Sequence, residues 1–147
     1  MDIFSALIED HETQRKYCRK INSAKTLEAK KEAYESLRVE LKAHAAAEER
    51  HLYMSVMNYD EGLDLSRHAI SEHHEMDELM STLSDGRTGE SRWLESAEKL
   101  TETVEHHLQE EEDKFFKEAK RLLDKEQIER LGALYQTEFE QFKEEAA

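Results

Sequence analysis

Residues 41–52 read Leu41-Lys42-Ala43-His44-Ala45-Ala46-Ala47-Glu48-Glu49-Arg50-His51-Leu52. Leu41, His44, Glu48 and Leu52 recur at intervals of three and four, which is one face of an α-helix. The leucines mark that face as the inner one. An imidazole and a carboxylate therefore stand one turn apart on an apolar stripe. A buried ionised carboxylate is unfavourable unless it is paired or bound to metal. The stretch predicts an inward-facing helix with polar chemistry at its centre.

The pattern repeats outward. Residues 100–122 carry Leu100, Val104, His107, Glu111, Phe115 and Leu122 on one stripe. Helical spacing predicts a first helix over about 2–22, with Ile3, Phe4, Leu7, Ile8, Cys18 and Ile21 inward. The second covers about 27–57, entered through Thr26 as N-cap, with Leu37 joining its stripe. The third covers about 63–83, with Ala69, Ile70, His73, Met76, Met80 and Leu83 inward. The fourth covers about 91–123, after the loop Ser84-Asp85-Gly86-Arg87-Thr88-Gly89. Asp124 caps a fifth, over about 125–144, carrying Ile128, Leu131, Leu134, Phe139 and Phe142. Short connections between long helices imply antiparallel neighbours. The expected fold is all-α: an up-down-up-down four-helix bundle over about 2–123 with an additional C-terminal helix across one end or side, in one domain over 1–147.

Composition agrees. The chain has 147 residues, no proline and four glycines, and 37% of its residues are hydrophobic. Its formal net charge of −14 disfavours nucleic acid and anionic membranes as partners. No apolar run approaches the roughly 20 residues that span a bilayer. The opening MDIFSALIEDHE has no signal-peptide pattern. The single cysteine, Cys18, rules out an internal disulfide and suits a reducing cytosol, so a cytoplasmic location is expected.

Histidine placement carries the chemistry. Of eight histidines, His11, His44, His73 and His107 fall near the middle of successive predicted helices. His-x-x-x-Glu occurs five times, from His44, His68, His74, His106 and His107, in a chain where glutamate is nearly a fifth of all residues. The motif alone is weak, and orientation separates the five. His44–Glu48 and His107–Glu111 lie on apolar stripes, His68 and His106 point away, and His74 lies to one side. Four imidazoles and two carboxylates exceed one tetrahedral zinc and suit two adjacent ions with bridging carboxylates and an open position. Imidazole with carboxylate suits iron or manganese, and no thiolate set is present to favour copper(I) or zinc. The ferritin-like di-iron class needs Glu-x-x-His on two helices, and only Glu48-x-x-His51 occurs. Counting from the turns places Glu48 level with His73. It leaves His11 against His44, and His73 against His107, apart by on the order of 10 Å.

In order, the chain carries Asp10-His11-Glu12, His44-Ala-Ala-Ala-Glu48-Glu49-Arg50, Glu72-His73-His74-Glu75-Met76 and His107-Leu-Gln-Glu110-Glu111-Glu112, followed by Phe115-Phe116. This combination resembles the hemerythrin-like, or HHE cation-binding, domains over nearly the whole chain. The resemblance implies a non-haem di-iron centre with His11, His44, His73 and His107 as terminal ligands and Glu48 and Glu111 as bridges. Two positions depart from the oxygen-carrying hemerythrins. Asp77 stands where they have a second histidine on the third helix. The last carboxylate is four residues after His107 rather than five, although Glu112 holds the fifth. Glu111 in that place resembles bacterial iron–sulfur repair proteins and the iron-sensing domain of a ubiquitin ligase subunit. Both departures point away from reversible oxygen carriage. Asp77 is a candidate seventh ligand, a hydrogen-bond partner behind a ligand, or an exposed residue. The family often has proline after the motifs of the second and fourth helices, where this chain has Met54 and Lys117.

Three functional readings follow. The first is a di-iron protein that binds or senses a small ligand (oxygen, nitric oxide or peroxide) or iron and redox state. The second is an enzyme that consumes peroxide or repairs iron–sulfur clusters. The cysteine-bearing N-terminal segment of the repair proteins does not occur in this sequence. The third is a helical interaction module with a vestigial site. His51 is expected to be partly exposed or to stand behind the ligands. Cys18, Met76 and Met80 are expected to be core residues.

Overall fold

The computed structural model describes residues 1–147 as five helices with short connections. α1 is Ile3–Ser23. α2 runs through 27–57 as an α segment Leu27–Glu48, a π-helical turn Glu49–Tyr53 and a closing turn Met54–Met57. α3 is Asp60–Ser84. α4 runs through 90–122 as Glu90–Glu110, a π-helical turn Glu111–Phe115 and Phe116–Leu122. α5 is Lys125–Ala146. The expected all-α bundle with an extra C-terminal helix is what forms. The largest boundary difference is at the start of α3, where Asp60 and Glu61 extend the helix because acidic side chains favour a helix N-terminus.

Local chemistry sets the ends. The Thr26 hydroxyl accepts from the Ala29 amide at 3.1 Å. Asp124 and Gln127 form a reciprocal capping box, at 2.8 and 3.0 Å. Gly62 lets α3 double back on α2, because a Cβ there would lie 2.3 Å from Val56 Cγ1 and 2.4 Å from its carbonyl oxygen.

α1 packs on α2 and α4, and α3 packs on α4. α5 lies along α2 and α1, a side placement rather than an end cap. Apolar packing falls into two clusters. One gathers Leu7, Ala47, Leu52, Phe115, Phe116 and the α5 residues Leu131 and Phe139. The other gathers Ile21, Leu37, Leu41, Met80, Trp93, Leu100 and Val104, together with Cys18 as a core residue. In each of the first four helices the central histidine lies between residues of the two clusters, so a polar layer crosses the bundle at mid-height. Ile8, expected inward, is 40% exposed, because it stands a further 100° round from Leu7 and leaves the stripe. Leu134 is also exposed.

The unequal counts along the helices are absorbed at the far end of the bundle. The His11 and His44 rings are 5.2 Å apart, hence level. Seventeen residues separate Leu27 from His44 (44 − 27) and twelve separate His11 from Ser23 (23 − 11). The first turn of α2 therefore projects beyond the end of α1, and Lys30 Nζ reaches back to the Ile21 carbonyl at 2.7 Å. α4 overruns α3 in the same way, with Trp93 Nε1 donating to the Leu83 carbonyl at 3.0 Å. No helix is long and apolar enough to cross a membrane.

Candidate metal centre

Six side chains meet in the polar layer: His11, His44, Glu48, His73, His107 and Glu111, each no more than 5% exposed. Their donor atoms form two overlapping groups, one of His11, His44, Glu48 and Glu111 and one of Glu48, His73 and His107, each within 4.8 Å. Glu48 belongs to both. Its Oε1 lies 3.3 Å from His44 Nε2 and 3.5 Å from His73 Nε2. Glu111 likewise spans the layer, with Oε1 3.2 Å from His11 Nε2 and Oε2 3.6 Å from His107 Nε2. The six residues expected from sequence are thus brought together. Asp77 is not among them: its carboxylate is half-exposed and pairs with Lys42 Nζ at 3.1 Å. His51 sits against α5, 3.2 Å from Glu138, and His74 faces solvent.

The four imidazoles share one orientation. Nδ1 of each points outward to an oxygen and Nε2 points inward. His11 Nδ1 meets Glu112 at 2.7 Å, and Arg15 holds the same carboxylate at 3.0 and 3.1 Å. His107 Nδ1 meets Glu72 at 2.7 Å, and His73 Nδ1 meets Glu49 at 3.2 Å. His44 Nδ1 donates to the Tyr135 hydroxyl at 2.7 Å, which in turn donates to Asp10. An acceptor on Nδ1 places the neutral ring's proton there and leaves the Nε2 lone pair facing the centre. Outer partners commonly prepare a metal-ligating histidine in this way.

Tyr53 completes the layer and was not found by sequence reasoning. Its hydroxyl contacts Glu48 Oε1 at 2.9 Å and also Glu111 Oε2, so it stands between the two carboxylates. In a continuous α-helix a residue five after Glu48 would be turned about 140° away from it. The π turn inserts the extra residue that brings Tyr53 round and keeps Leu52 buried as well. The π turn at Glu111–Phe115 does the same for consecutive Phe115 and Phe116. Tyr135 was also missed, since nothing in the sequence showed which face α5 presents to His44.

Without a metal the layer takes up protons at its imidazoles, and a bound ion would displace them. Burial alone lowers the His44 imidazole, but Glu48 and Asp10 outweigh it and lift it to about 10. Burial is likewise outweighed at His73 by Glu48 and Glu49, to about 9. Burial raises Glu48, yet His44 and His73 hold it well below the usual carboxylate range. Glu111 goes the other way, raised by burial and by the nearby Glu48 charge. Burial, Glu111 and Glu48 push the Tyr53 phenol well up, so it stays a donor.

Several buried donor atoms have no aligned hydrogen-bond partner: His11 Nε2, His44 Nε2, Glu48 Oε2 and Glu111 Oε1. The 3.2 Å between His11 Nε2 and Glu111 Oε1 is close contact without hydrogen-bond alignment. Buried polar atoms are seldom left so, and all four face the interior of the cluster. A nitrogen and oxygen donor set with inward lone pairs fits a first-row divalent ion. A cavity of about 10 Å³ adjoins His44, His73 and His107 and is also lined by Gln14, Leu41, Met76, Met80 and the half-exposed Asp77. The larger surface grooves, one beside Ile21 and Leu94 and one beside Tyr34 and Trp93, touch none of the six residues.

The family model for the Hemerythrin HHE cation binding domain matches residues 2–119. The chain belongs to that family. A solved structure from Mycobacterium kansasii, of a hemerythrin HHE cation binding domain-containing protein, superposes with a TM-score of 0.83 at 22% identity, covering 99% of this chain and 89% of that one. At that identity the likeness speaks for the fold. No curated protein matches significantly.

Proposed function

We propose that the layer is a non-haem di-iron centre that binds a small ligand: dioxygen, nitric oxide or peroxide. His11, His44, His73 and His107 are its terminal ligands, and Glu48 and Glu111 bridge. The observation that carries this reading is the set of unpartnered buried atoms, Nε2 of His11 and His44, Oε2 of Glu48 and Oε1 of Glu111, beside a His73–His107 pair whose Nε2 atoms lie 3.2 Å apart, with each histidine braced at Nδ1. A bound ferrous pair would supply electrons and an open coordination position. The chain supplies the rest. The cavity has room for about one water-sized molecule, which suits a small ligand. Leu41, Met76 and Met80 form its apolar wall. Gln14 is 1% exposed and its Nε2 has no partner, so it offers a hydrogen bond to whatever occupies the cavity. Tyr53 holds the carboxylates in register and keeps a proton beside them.

The test is metal content after anaerobic loading with ferrous iron and desalting. About two irons per chain are expected, given the donor number, with sharp loss in His44→Ala and Glu111→Ala. Near-zero iron in a folded wild-type chain would return the layer to a purely structural role. Turnover of peroxide above that of free iron, lost in Glu111→Ala, would favour the enzyme reading over simple binding.

A further inference from the structure

A second histidine–glutamate constellation lies on the outer face of α3 and α4. His68 and Glu72 are one turn apart on α3, and His106 and Glu110 are one turn apart on α4. His106–Glu110 is the outward counterpart of the inner pair His107–Glu111, shifted by one residue. His68 Nε2 lies 2.9 Å from Glu110 and 3.5 Å from Glu72. His106 Nε2 lies 2.9 Å from the other oxygen of Glu110 and 4.0 Å from Glu72. Donor atoms of His68, Glu72 and Glu110 fall within 4.8 Å of one another. Both histidines are more than half exposed, so the cluster opens to solvent, while the Glu72 side chain is 12% exposed.

Glu72 ties this cluster to the centre. Its Oε2 faces His68 and His106, and its Oε1 accepts from His107 Nδ1 at 2.7 Å. A cavity of about 20 Å³ beside it is lined by Glu110 and Lys114 as well as by His107, Glu111 and Phe115. The Glu72 carboxylate thus touches both the outer cluster and a histidine of the buried layer. A net charge of −14 draws cations toward such a mouth.

We propose that His68, Glu72, His106 and Glu110 form an outer site for one divalent first-row metal ion, which captures the ion at the surface and passes it inward past Glu72. Two imidazoles and two carboxylates suit Fe²⁺, Mn²⁺ or Zn²⁺. The outer site stands on its own residues; the hand-over rests on the di-iron reading above.

The experiment uses the full chain and a His68→Ala/His106→Ala variant, whose exposed positions leave the helices intact by circular dichroism. Equilibrium dialysis against Zn²⁺ counts ions, and anaerobic stopped flow follows Fe²⁺ uptake. The wild type should hold one Zn²⁺ more than the variant, and the variant should load iron at least about tenfold more slowly. Equal ion counts would show that the four side chains are ion pairs only and would overturn the site. An ion lost with no change in uptake rate would overturn the hand-over. A wild type that binds a single ion, lost in the variant, would uphold the outer site while sinking the two-iron centre.

Discussion

Tyr53 touches both buried carboxylates of the layer, and its loss is measurable. Tyr53→Phe leaves Glu48 and Glu111 without their shared donor in a fully buried layer. The metal-free variant is expected to lose about 1–3 kcal/mol in urea unfolding; an unchanged midpoint would mean the hydroxyl carries no stability. Titration of the layer gives a second expectation. His44 and His73 are raised to about 10 and about 9 when folded, from an unfolded value near 6.5. A raised histidine stabilises fully below the unfolded value and loses that contribution as pH climbs through the folded one. The metal-free chain should therefore become steadily less stable from about pH 6.5 to about pH 10. Urea midpoints across that window check this, and a flat profile would contradict the ion pairing. Glu112 works at the other limit. Burial opposes its charge, but His11 and Arg15 hold it at about 2, so its contribution persists until strongly acidic pH.

The helices show where a strict 3.6-residue period stops being enough. One π turn follows directly on Glu48, and the other begins at Glu111. A π turn is one residue inserted without changing the frame downstream. Deleting Arg50, an exposed residue of the first such turn, should therefore convert it to α-helix and keep the bundle folded with a modest fall in melting temperature. Deleting Lys42, exposed in regular helix, should unfold the chain by turning His44 and Glu48 away from Leu37 and Leu41. Circular dichroism melts of the two deletions decide the matter, and equal damage from both would refute the insertion argument. α5 depends on a different contact. A Cβ on Gly132 would lie 2.3 Å from the Met1 carbonyl oxygen and 2.7 Å from the Asp2 carbonyl carbon, backbone that cannot rotate aside. Gly132→Ala should cost about 1–3 kcal/mol by pushing α5 off α1, and it should loosen Tyr135 from His44. A variant as stable as the wild type would show that the chain start yields freely.

For the molecule as a whole, the proposed centre would link metal binding to folding. Ions that bind only the folded chain stabilise it by mass action, about 2.7 kcal/mol at a free concentration one hundred times the dissociation constant. Chelation should lower the melting temperature of iron-loaded protein, and calorimetry before and after dialysis against a chelator measures it. No shift would favour the interaction-module reading. Much of this was legible beforehand. Apolar spacing located five helices, and His44–Glu48 and His107–Glu111 announced themselves because residues four apart share a helical face. The counts that set His11 apart from His44 failed because they assumed flush helix ends. Packing of Trp93, Leu37 and Leu100 instead sets the register and lets α2 and α4 overrun their neighbours. By itself the sequence determined the all-helical class, the four central histidines and their two glutamates, since periodicity is a local property of the chain. Only the tertiary structure decided that Tyr53 and Tyr135 join the layer, that Asp77 turns to Lys42, and that every imidazole is braced from behind. Those outcomes depend on contacts between helices and on two π turns, which no single stripe of residues encodes.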